Sequence, residues 1–167
     1  VAALKKMMTQ ELATKKPELP QPSNVMKVLV IEDLREVREG LTAIINGTAG
    51  YKCIGSYYSM EIALARMGDE RPDVILTDIG LPGISGIDGI PMLHQRFPEV
   101  PILALTVYDS DRQIFEALCA GATGYLLKTT TTVRLLDSIK EAADGGSPMS
   151  PDAPAPVAAS DEVRNLR

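Results

Sequence analysis

The stretch VMKVLVIEDLREVREGL, residues 25–41, changes its character in the middle. Its first half is apolar and rich in valine and isoleucine, a composition typical of a strand that is buried on both faces. The apolar run stops at two adjacent carboxylates, Glu32 and Asp33, and a helical spacing of apolar residues follows. A buried strand that leads into a helix begins a βα unit, and repeated βα units form a parallel sheet.

Strand and helix patterns continue to alternate along the chain. Apolar runs predict strands at 27–32, 51–57, 73–78, 101–106 and 123–128. Apolar residues at helical spacing predict helices at 35–47, 59–69, 85–97, 110–121 and 131–146. Pro91 and the glycines before it favour a helix only in the second half of 85–97. These five βα units predict a doubly wound sandwich, in which helices cover both faces of a parallel sheet.

The flanks of the chain differ from the folded unit in composition. Residues 1–24 are polar and contain three prolines within six residues, which predicts a flexible N-terminal arm. Residues 147–167 are rich in proline and alanine and lack apolar periodicity, which predicts a linker or tail. The folded domain is therefore expected at residues 25–146.

Composition argues against several classes of protein. A formal net charge of −5 disfavours a free-standing nucleic-acid binder, which needs clustered lysine and arginine. No apolar run reaches the length of a membrane span or of a secretory signal, so no membrane partner is expected. Cys53 and Cys119 form no CxxC motif, which predicts a reduced, cytoplasmic protein without a structural zinc site. Both thiols are expected to be small core residues.

Polar side chains stand at the ends of four predicted strands, where the carboxyl ends of parallel strands share one edge of the sheet. In chain order they are Glu32, Asp33, Asp78, Thr106 and Lys128. Three clustered carboxylates stay ionised only with a cation among them, and oxygen ligands favour Mg²⁺. A metal ion, an ammonium and a hydroxyl together suit the oxygens of a phosphoryl group in transfer. Asp78 is therefore predicted to be a nucleophile that becomes an aspartyl phosphate.

Each of these residues also has an ordinary interpretation when it is taken alone. Asp33 after a strand is typical of a helix N-cap. Lys128 is typical of a solvated surface charge, and Thr106 of a common strand residue. Their joint placement at one edge of one sheet is what favours a functional site.

Four segments of the sequence resemble the response-regulator receiver domain of two-component signalling. They are IED (31–33), DIGLPGISG (78–86), ALT (104–106) and GYLLK (124–128). The resemblance covers about residues 26–146. The segment DIGLPGISGIDGIPML, followed by RFPEVPILALT, is most similar to the NarL/FixJ (LuxR-type) subfamily. It implies a flavodoxin-like (βα)5 fold with strand order 2-1-3-4-5. It also implies a signalling switch that a sensor histidine kinase phosphorylates, rather than an enzyme that turns over a metabolite.

The resemblance assigns roles to individual residues. Asp78 resembles the phospho-acceptor, and Lys128 the lysine that contacts the phosphoryl group. Thr106 and Tyr125 resemble the hydroxyl and the aromatic ring of the switch, with Tyr125 turning inward after Thr106 moves. The residues expected to hold Mg²⁺ are Glu32, Asp33, Asp78 and the backbone carbonyl of Gly80. Asp33 resembles the direct ligand, whereas Glu32 binds the ion through water or orients that water.

The resemblance also implies partners. NarL-type regulators bind DNA through a helix-turn-helix output domain, whereas only DEVRNLR (161–167) follows the predicted tail. The chain is therefore expected to be a fragment of a longer regulator, or a stand-alone receiver. A homodimer is expected through the face formed by the fourth helix, the fifth strand and the fifth helix. Four apolar residues are candidates for both core and interface there: Ile114, Leu118, Leu135 and Ile139.

Two further functions compete with the signalling switch. One is a degenerate receiver that acts only as a protein-interaction module, which the intact set of acids, Thr106 and Lys128 disfavours. The other is a flavodoxin-like cofactor binder or a phosphatase. No GxGxxG follows the first strand, and Gly80 stands where a DxD-type phosphatase has its second acid.

Overall fold

The computed structural model describes residues 24–107 and 110–150. Within these ranges, five strands and five helices alternate as predicted. The strands are β1 (Met26–Ile31), β2 (Tyr51–Tyr57), β3 (Val74–Asp78), β4 (Ile102–Thr106) and β5 (Gly124–Leu127). The helices are α1 (Arg35–Asn46), α2 (Met60–Arg66), α3 (Gly86–Arg96), α4 (Asp111–Ala120) and α5 (Thr132–Ala143). None of these helices is long and apolar enough to span a membrane.

The five strands form one parallel sheet in the order β2-β1-β3-β4-β5, which confirms the predicted fold class and strand order. Successive residues of a strand point to opposite faces, and in β1 they enter two separate apolar clusters. Leu29 and Ile31 belong to one cluster, and Val28 and Val30 to the other. The sheet is therefore buried on both faces, which explains the continuous apolar runs in its strands.

Helix α3 begins earlier than predicted. It starts at Gly86, and the Ser85 hydroxyl caps it by accepting a hydrogen bond of 3.0 Å from the Asp88 N–H. Pro91 lies inside the helix, and its ring is exposed. A proline there removes only one backbone donor, so a good N-cap and a solvent-facing ring let the helix pass through it.

The predicted linker begins with residues that pack along the open edge of β5. The Tyr125 N–H donates to the Pro148 carbonyl over 3.1 Å, and the Ser150 N–H donates to the Tyr125 carbonyl over 3.0 Å. The Leu127 N–H donates to Ser150 Oγ over 2.9 Å. We call residues 148–150 the C-terminal strap. Because β5 is an edge strand, the strap covers backbone groups that would otherwise be open to solvent. Residues 1–23 and 151–167 of the predicted arm and tail lie outside the described ranges.

The prediction that both cysteines are core residues is wrong for Cys119, which is exposed, whereas Cys53 is half-buried. On α4, Ile114 and Ala117 face the core. Cys119 is two residues after Ala117, and the helical period places it on the opposite side of the helix. The four candidate dimer residues lie mainly in the core. Leu118 is half-buried, and the other three are buried: Ile114, Leu135 and Ile139.

We predict that Gly86→Ala lowers the free energy of unfolding by about 1–3 kcal/mol. A Cβ at Gly86 would overlap the Asp78 carbonyl oxygen and lie 2.6 Å from Ile79 Cα, so the backbone around Asp78 would have to move. The measurement is urea-induced unfolding of the wild type and the variant.

The matched control is Gly40→Ala, in the middle of α1, where a Cβ meets nothing within 4 Å. This change is expected to stabilise the protein by about 0.5–1 kcal/mol, because alanine is the better helix former. The two changes in the free energy of unfolding need not be equal in size. A Gly86→Ala protein as stable as the wild type would contradict the close approach of Gly86 to the Asp78 backbone.

Candidate functional site

The sheet order brings the predicted site residues to one edge. β1 and β3 are neighbours, so the acids that follow β1 lie beside Asp78 at the end of β3. Lys128 follows β5 and reaches across the end of β4. Its Nζ lies 2.6 Å from Glu32 Oε2 and 2.9 Å from Asp78 Oδ2. The Lys128 ammonium, which follows β5, therefore links a carboxylate after β1 to the carboxylate at the end of β3.

The three predicted acids form a compact cluster. Ligand oxygens from Glu32, Asp33 and Asp78 lie within 4.8 Å of one another. Glu32 is fully buried, Asp78 is 6% exposed and Asp33 is half-buried. Three carboxylates and one ammonium leave two negative charges in a site with little access to water. A set of oxygen donors with this charge fits a hard divalent cation.

Glu32 is oriented at both of its carboxylate oxygens. Oε1 accepts a hydrogen bond of 3.0 Å from the Leu34 N–H. Oε2 accepts no hydrogen bond of good geometry, yet its distance of 2.6 Å from the Lys128 ammonium makes a direct ion pair. Burial raises the pKa of Glu32, and the bonds from Lys128 and the Leu34 N–H oppose that rise. Removing the ammonium would leave a buried acid whose charged form has lost its main support.

Lys128 keeps its charge although its side chain is only 10% exposed. Burial alone lowers the pKa of a lysine, but the close contacts with the Glu32 and Asp78 carboxylates outweigh it and raise the pKa of Lys128 above its usual value. The ammonium is therefore present at neutral pH. A fixed positive charge next to Asp78 can attract an anionic group to that carboxylate.

Asp78 is also held at both oxygens. Oδ2 pairs with Lys128, and Oδ1 accepts a hydrogen bond of 2.9 Å from the Gly80 N–H. This bond folds the chain back beneath the carboxylate, which places Gly80 next to the acid cluster. A role of the Gly80 backbone carbonyl as a metal ligand stays a prediction of the resemblance.

Thr106 lies on β4, which is next to β3, and Tyr125 lies on β5, one strand further out. Thr106 ends β4, is 2% exposed, and its carbonyl accepts a hydrogen bond of 2.8 Å from the Lys128 N–H. Tyr125 pairs in register with Ala104 and is fully buried. Its ring already lies in the apolar cluster. In this structure the ring is therefore not in the exposed position from which the expected inward turn would begin.

Two residues that support the site were not identified from the sequence. Arg38 on α1 donates to the Glu32 carbonyl over 2.8 Å and to the Asp33 carbonyl over 3.2 Å, which holds the acidic turn. It lies in the first turn of α1, five and six residues after the acids, and this short separation is a local signal that could have revealed it. Glu61 on α2 accepts a hydrogen bond of 2.8 Å from the Ile84 N–H. These two residues are 23 positions apart, so no local pattern connects them.

Known proteins share this sequence pattern. Residues 28–140 match the family described as the response regulator receiver domain. The chain is 36% identical over 127 residues to the transcriptional regulatory protein YdfI of Bacillus subtilis, which covers 75% of the chain and 59% of YdfI. It is 31% identical over 128 residues to the transcriptional regulatory protein DegU of Brevibacillus brevis, which covers 77% of the chain and 54% of DegU. The chain thus spans somewhat over half the length of these curated relatives.

A solved structure agrees with the sequence comparison. The crystal structure of a LuxR-family two-component response regulator from Aurantimonas sp. SI85-9A1 superimposes with a TM-score of 0.72 at 27% identity. The match covers 77% of this chain and 92% of that one. The predicted resemblance to LuxR-type regulators is confirmed. The chain belongs to the response regulator receiver domain family of two-component signalling.

Proposed function

We propose that this chain accepts a phosphoryl group on Asp78 in a Mg²⁺-dependent reaction and acts as the switch of a two-component system. The observation that carries the proposal is the ammonium of Lys128, which bridges Glu32 and Asp78 inside a cluster of three carboxylates. The phosphoryl donor is a sensor histidine kinase. Because the acceptor is the protein's own side chain, the chain is a switch and does not turn over a metabolite.

The acid cluster provides the metal site. The residues that would hold Mg²⁺ are Glu32, Asp33, Asp78 and the backbone carbonyl of Gly80. The ion supplies positive charge that neutralises the acids and the incoming phosphoryl oxygens. The donor set fits it, because all side-chain ligands are carboxylates and their oxygens lie within 4.8 Å of one another.

The side chains of this chain have distinct roles in the phosphoryl transfer. An Asp78 carboxylate oxygen attacks phosphorus, and the new P–O bond forms as the P–N bond to the kinase histidine breaks. The leaving imidazole keeps the electron pair of that bond and takes up a proton. Lys128 stabilises negative charge on the equatorial oxygens, and the Thr106 hydroxyl donates a hydrogen bond to one of them. Asp78 is oriented for attack because the Gly80 N–H and Lys128 hold its two oxygens.

The change of shape that would carry the signal begins with the residues that the phosphoryl group attracts. New negative charge at Asp78 draws Thr106 and Lys128 toward it, which shifts the ends of β4 and β5. The C-terminal strap is hydrogen-bonded to Tyr125 and Leu127 of β5, so a shift of that strand reaches the chain beyond the strap. An output domain would come after the strap along the chain.

Three partner and location assignments accompany the proposal. The relatives YdfI and DegU are named as transcriptional regulatory proteins and extend well beyond the matched part, so we propose transcription control through a C-terminal DNA-binding domain.

A homodimer through the α4–β5–α5 face is consistent with exposed Phe115 on α4 and Val133 on α5. A cytoplasmic location agrees with the two free thiols.

We predict that incubation with acetyl phosphate and Mg²⁺ adds one phosphoryl group, about 80 Da, to the wild-type protein and none to Asp78→Asn. Intact-mass spectrometry measures the gain, and chelation of Mg²⁺ is expected to abolish it. The matched control is Asp69→Asn, which removes an acid whose side chain is 97% exposed and lies outside the site.

The control protein should gain the same mass as the wild type. A gain that persists in Asp78→Asn or without Mg²⁺ would refute the assignment of this site. No gain from acetyl phosphate, combined with no binding of Mg²⁺, would leave a degenerate receiver that acts as a protein-interaction module.

We also predict that Lys128→Met destabilises the metal-free protein at neutral pH by about 3 kcal/mol, because it removes one partner of a buried ion pair. Fully buried Glu32 would lose its closest positive charge. Urea unfolding without metal measures the effect, and added Mg²⁺ should reduce the loss because the cation replaces part of the missing charge.

Lys140→Met is the control for this prediction, because Lys140 is an exposed lysine of α5 and the change in net charge is the same. It should unfold close to the wild type. If Lys128→Met and Lys140→Met unfold at the same urea concentration, the ammonium is not what holds the acid cluster together.

A further inference from the structure

The loop between Asp78 and α3, residues 79–85, carries the Gly80 carbonyl. Its two ends are tied to the end of β3. The Gly80 N–H donates to Asp78 Oδ1, and the Gly86 N–H donates to the Ile79 carbonyl over 3.1 Å. In the middle of the loop, Gly83 is exposed and half-buried Ile84 packs against the core, and the backbone there has a separate polar support.

Glu61 of α2 supplies that support. Its Oε1 accepts a hydrogen bond of 2.8 Å from the Ile84 N–H. The same oxygen lies against Gly83, where a Cβ would overlap it, and Gly83 has a positive φ of 76°. Only glycine combines this backbone conformation with room for the carboxylate. The loop is therefore shaped to receive the Glu61 side chain.

Glu61 projects from a rigid base. Its neighbour Met60 is fully buried, and a Cβ at Gly89 of α3 would overlap the Met60 side chain, so α2 and α3 pack closely here. The Ser59 hydroxyl caps α2 by accepting a hydrogen bond of 3.1 Å from the Ile62 N–H. The position of the Glu61 backbone is therefore fixed by the core and by the helix cap.

The Glu61 carboxylate is a charged acceptor. The hydrogen bond from the Ile84 N–H lowers the pKa of Glu61 below its usual value, so the group is ionised at neutral pH. Hydrogen bonds to ionised acceptors are stronger than those between neutral groups. This bond is thus a better anchor for the loop than a neutral side chain at the same place would make.

We propose that Glu61 is a positioning residue for the metal site, since it holds Ile84 and so fixes the loop that presents the Gly80 carbonyl to Mg²⁺. The inference rests on the proposed function, because it requires Mg²⁺ at the acid cluster. Glu61 itself does not touch the metal. It acts as outer partners of metal ligands do, by restricting a ligand to its bound position before the ion arrives.

The test is calorimetric titration of the folded, unphosphorylated protein with MgCl₂. Glu61→Ala removes the acceptor and should weaken Mg²⁺ binding about tenfold, as removal of an outer partner of a metal ligand does. Glu61→Gln keeps a neutral, weaker acceptor oxygen at the same reach and should bind Mg²⁺ more tightly than Glu61→Ala but less tightly than the wild type. The control Glu116→Ala removes a partly exposed helix carboxylate that pairs with Arg112, and it should leave the affinity unchanged.

Amide hydrogen exchange provides a second measurement without metal. The Ile84 N–H should exchange faster in Glu61→Ala than in the wild type, Glu61→Gln or Glu116→Ala. Urea unfolding of the metal-free variants separates this local effect from global loss of structure, because a loop anchor on the surface leaves the unfolding midpoint nearly unchanged.

The outcomes distinguish this inference from the proposed function. Wild-type affinity in Glu61→Ala would overturn the positioning role alone. An equal loss in Glu116→Ala would overturn it as well, because the cause would then be net charge. Equal losses in Glu61→Ala and Glu61→Gln would show that the hydrogen bond is not what matters. Failure of the wild-type protein itself to bind Mg²⁺ would overturn the proposed function together with this inference.

Discussion

The ion pairs of Lys128 with Glu32 and Asp78 are the interaction on which the site depends. Three carboxylates at one edge of a buried sheet repel one another, and the described structure compensates them with one ammonium that is almost as buried as they are. The fold makes this contact by placing β1 beside β3 and by letting Lys128 reach over the end of β4. Under the proposed function, a cation and a phosphoryl group would enter a site in which the positive charge and the acids are already arranged.

The loops around this edge are held by groups outside the cluster. Arg38 binds the carbonyls of the acidic turn after β1, and Glu61 binds the loop after β3. Gly86 allows the start of α3 to lie directly against the Asp78 backbone. These supports come from α1, α2 and α3, so the helices order the site as well as cover the sheet. Catalytic and metal-binding groups work best when their neighbours fix them in advance.

Most of the fold could be predicted from the sequence, because apolar strands that stop at polar residues are a local signal. Five candidate site residues are predicted by the same signal, since each stands where an apolar run ends: Glu32, Asp33, Asp78, Thr106 and Lys128. Gly80 and Tyr125 are assigned by the resemblance alone. The sequence predicts the start of α3 too late, because Pro91 is a strong signal against a helix, whereas the opposing Ser85 cap is a single residue. The C-terminal strap was read as linker, since its contacts with β5 are backbone bonds and one serine hydroxyl. Glu61 was missed because its partner lies 23 residues away.

The most direct test of the account is the identity of the residue that carries the phosphoryl group. Borohydride reduces an aspartyl phosphate to homoserine, and tandem mass spectrometry of the peptide that contains residue 78 can locate the change. The account predicts homoserine at position 78 alone, and only after phosphorylation in the presence of Mg²⁺. Reduction at position 33, or an unmodified position 78 in protein that has gained a phosphoryl group, would contradict it.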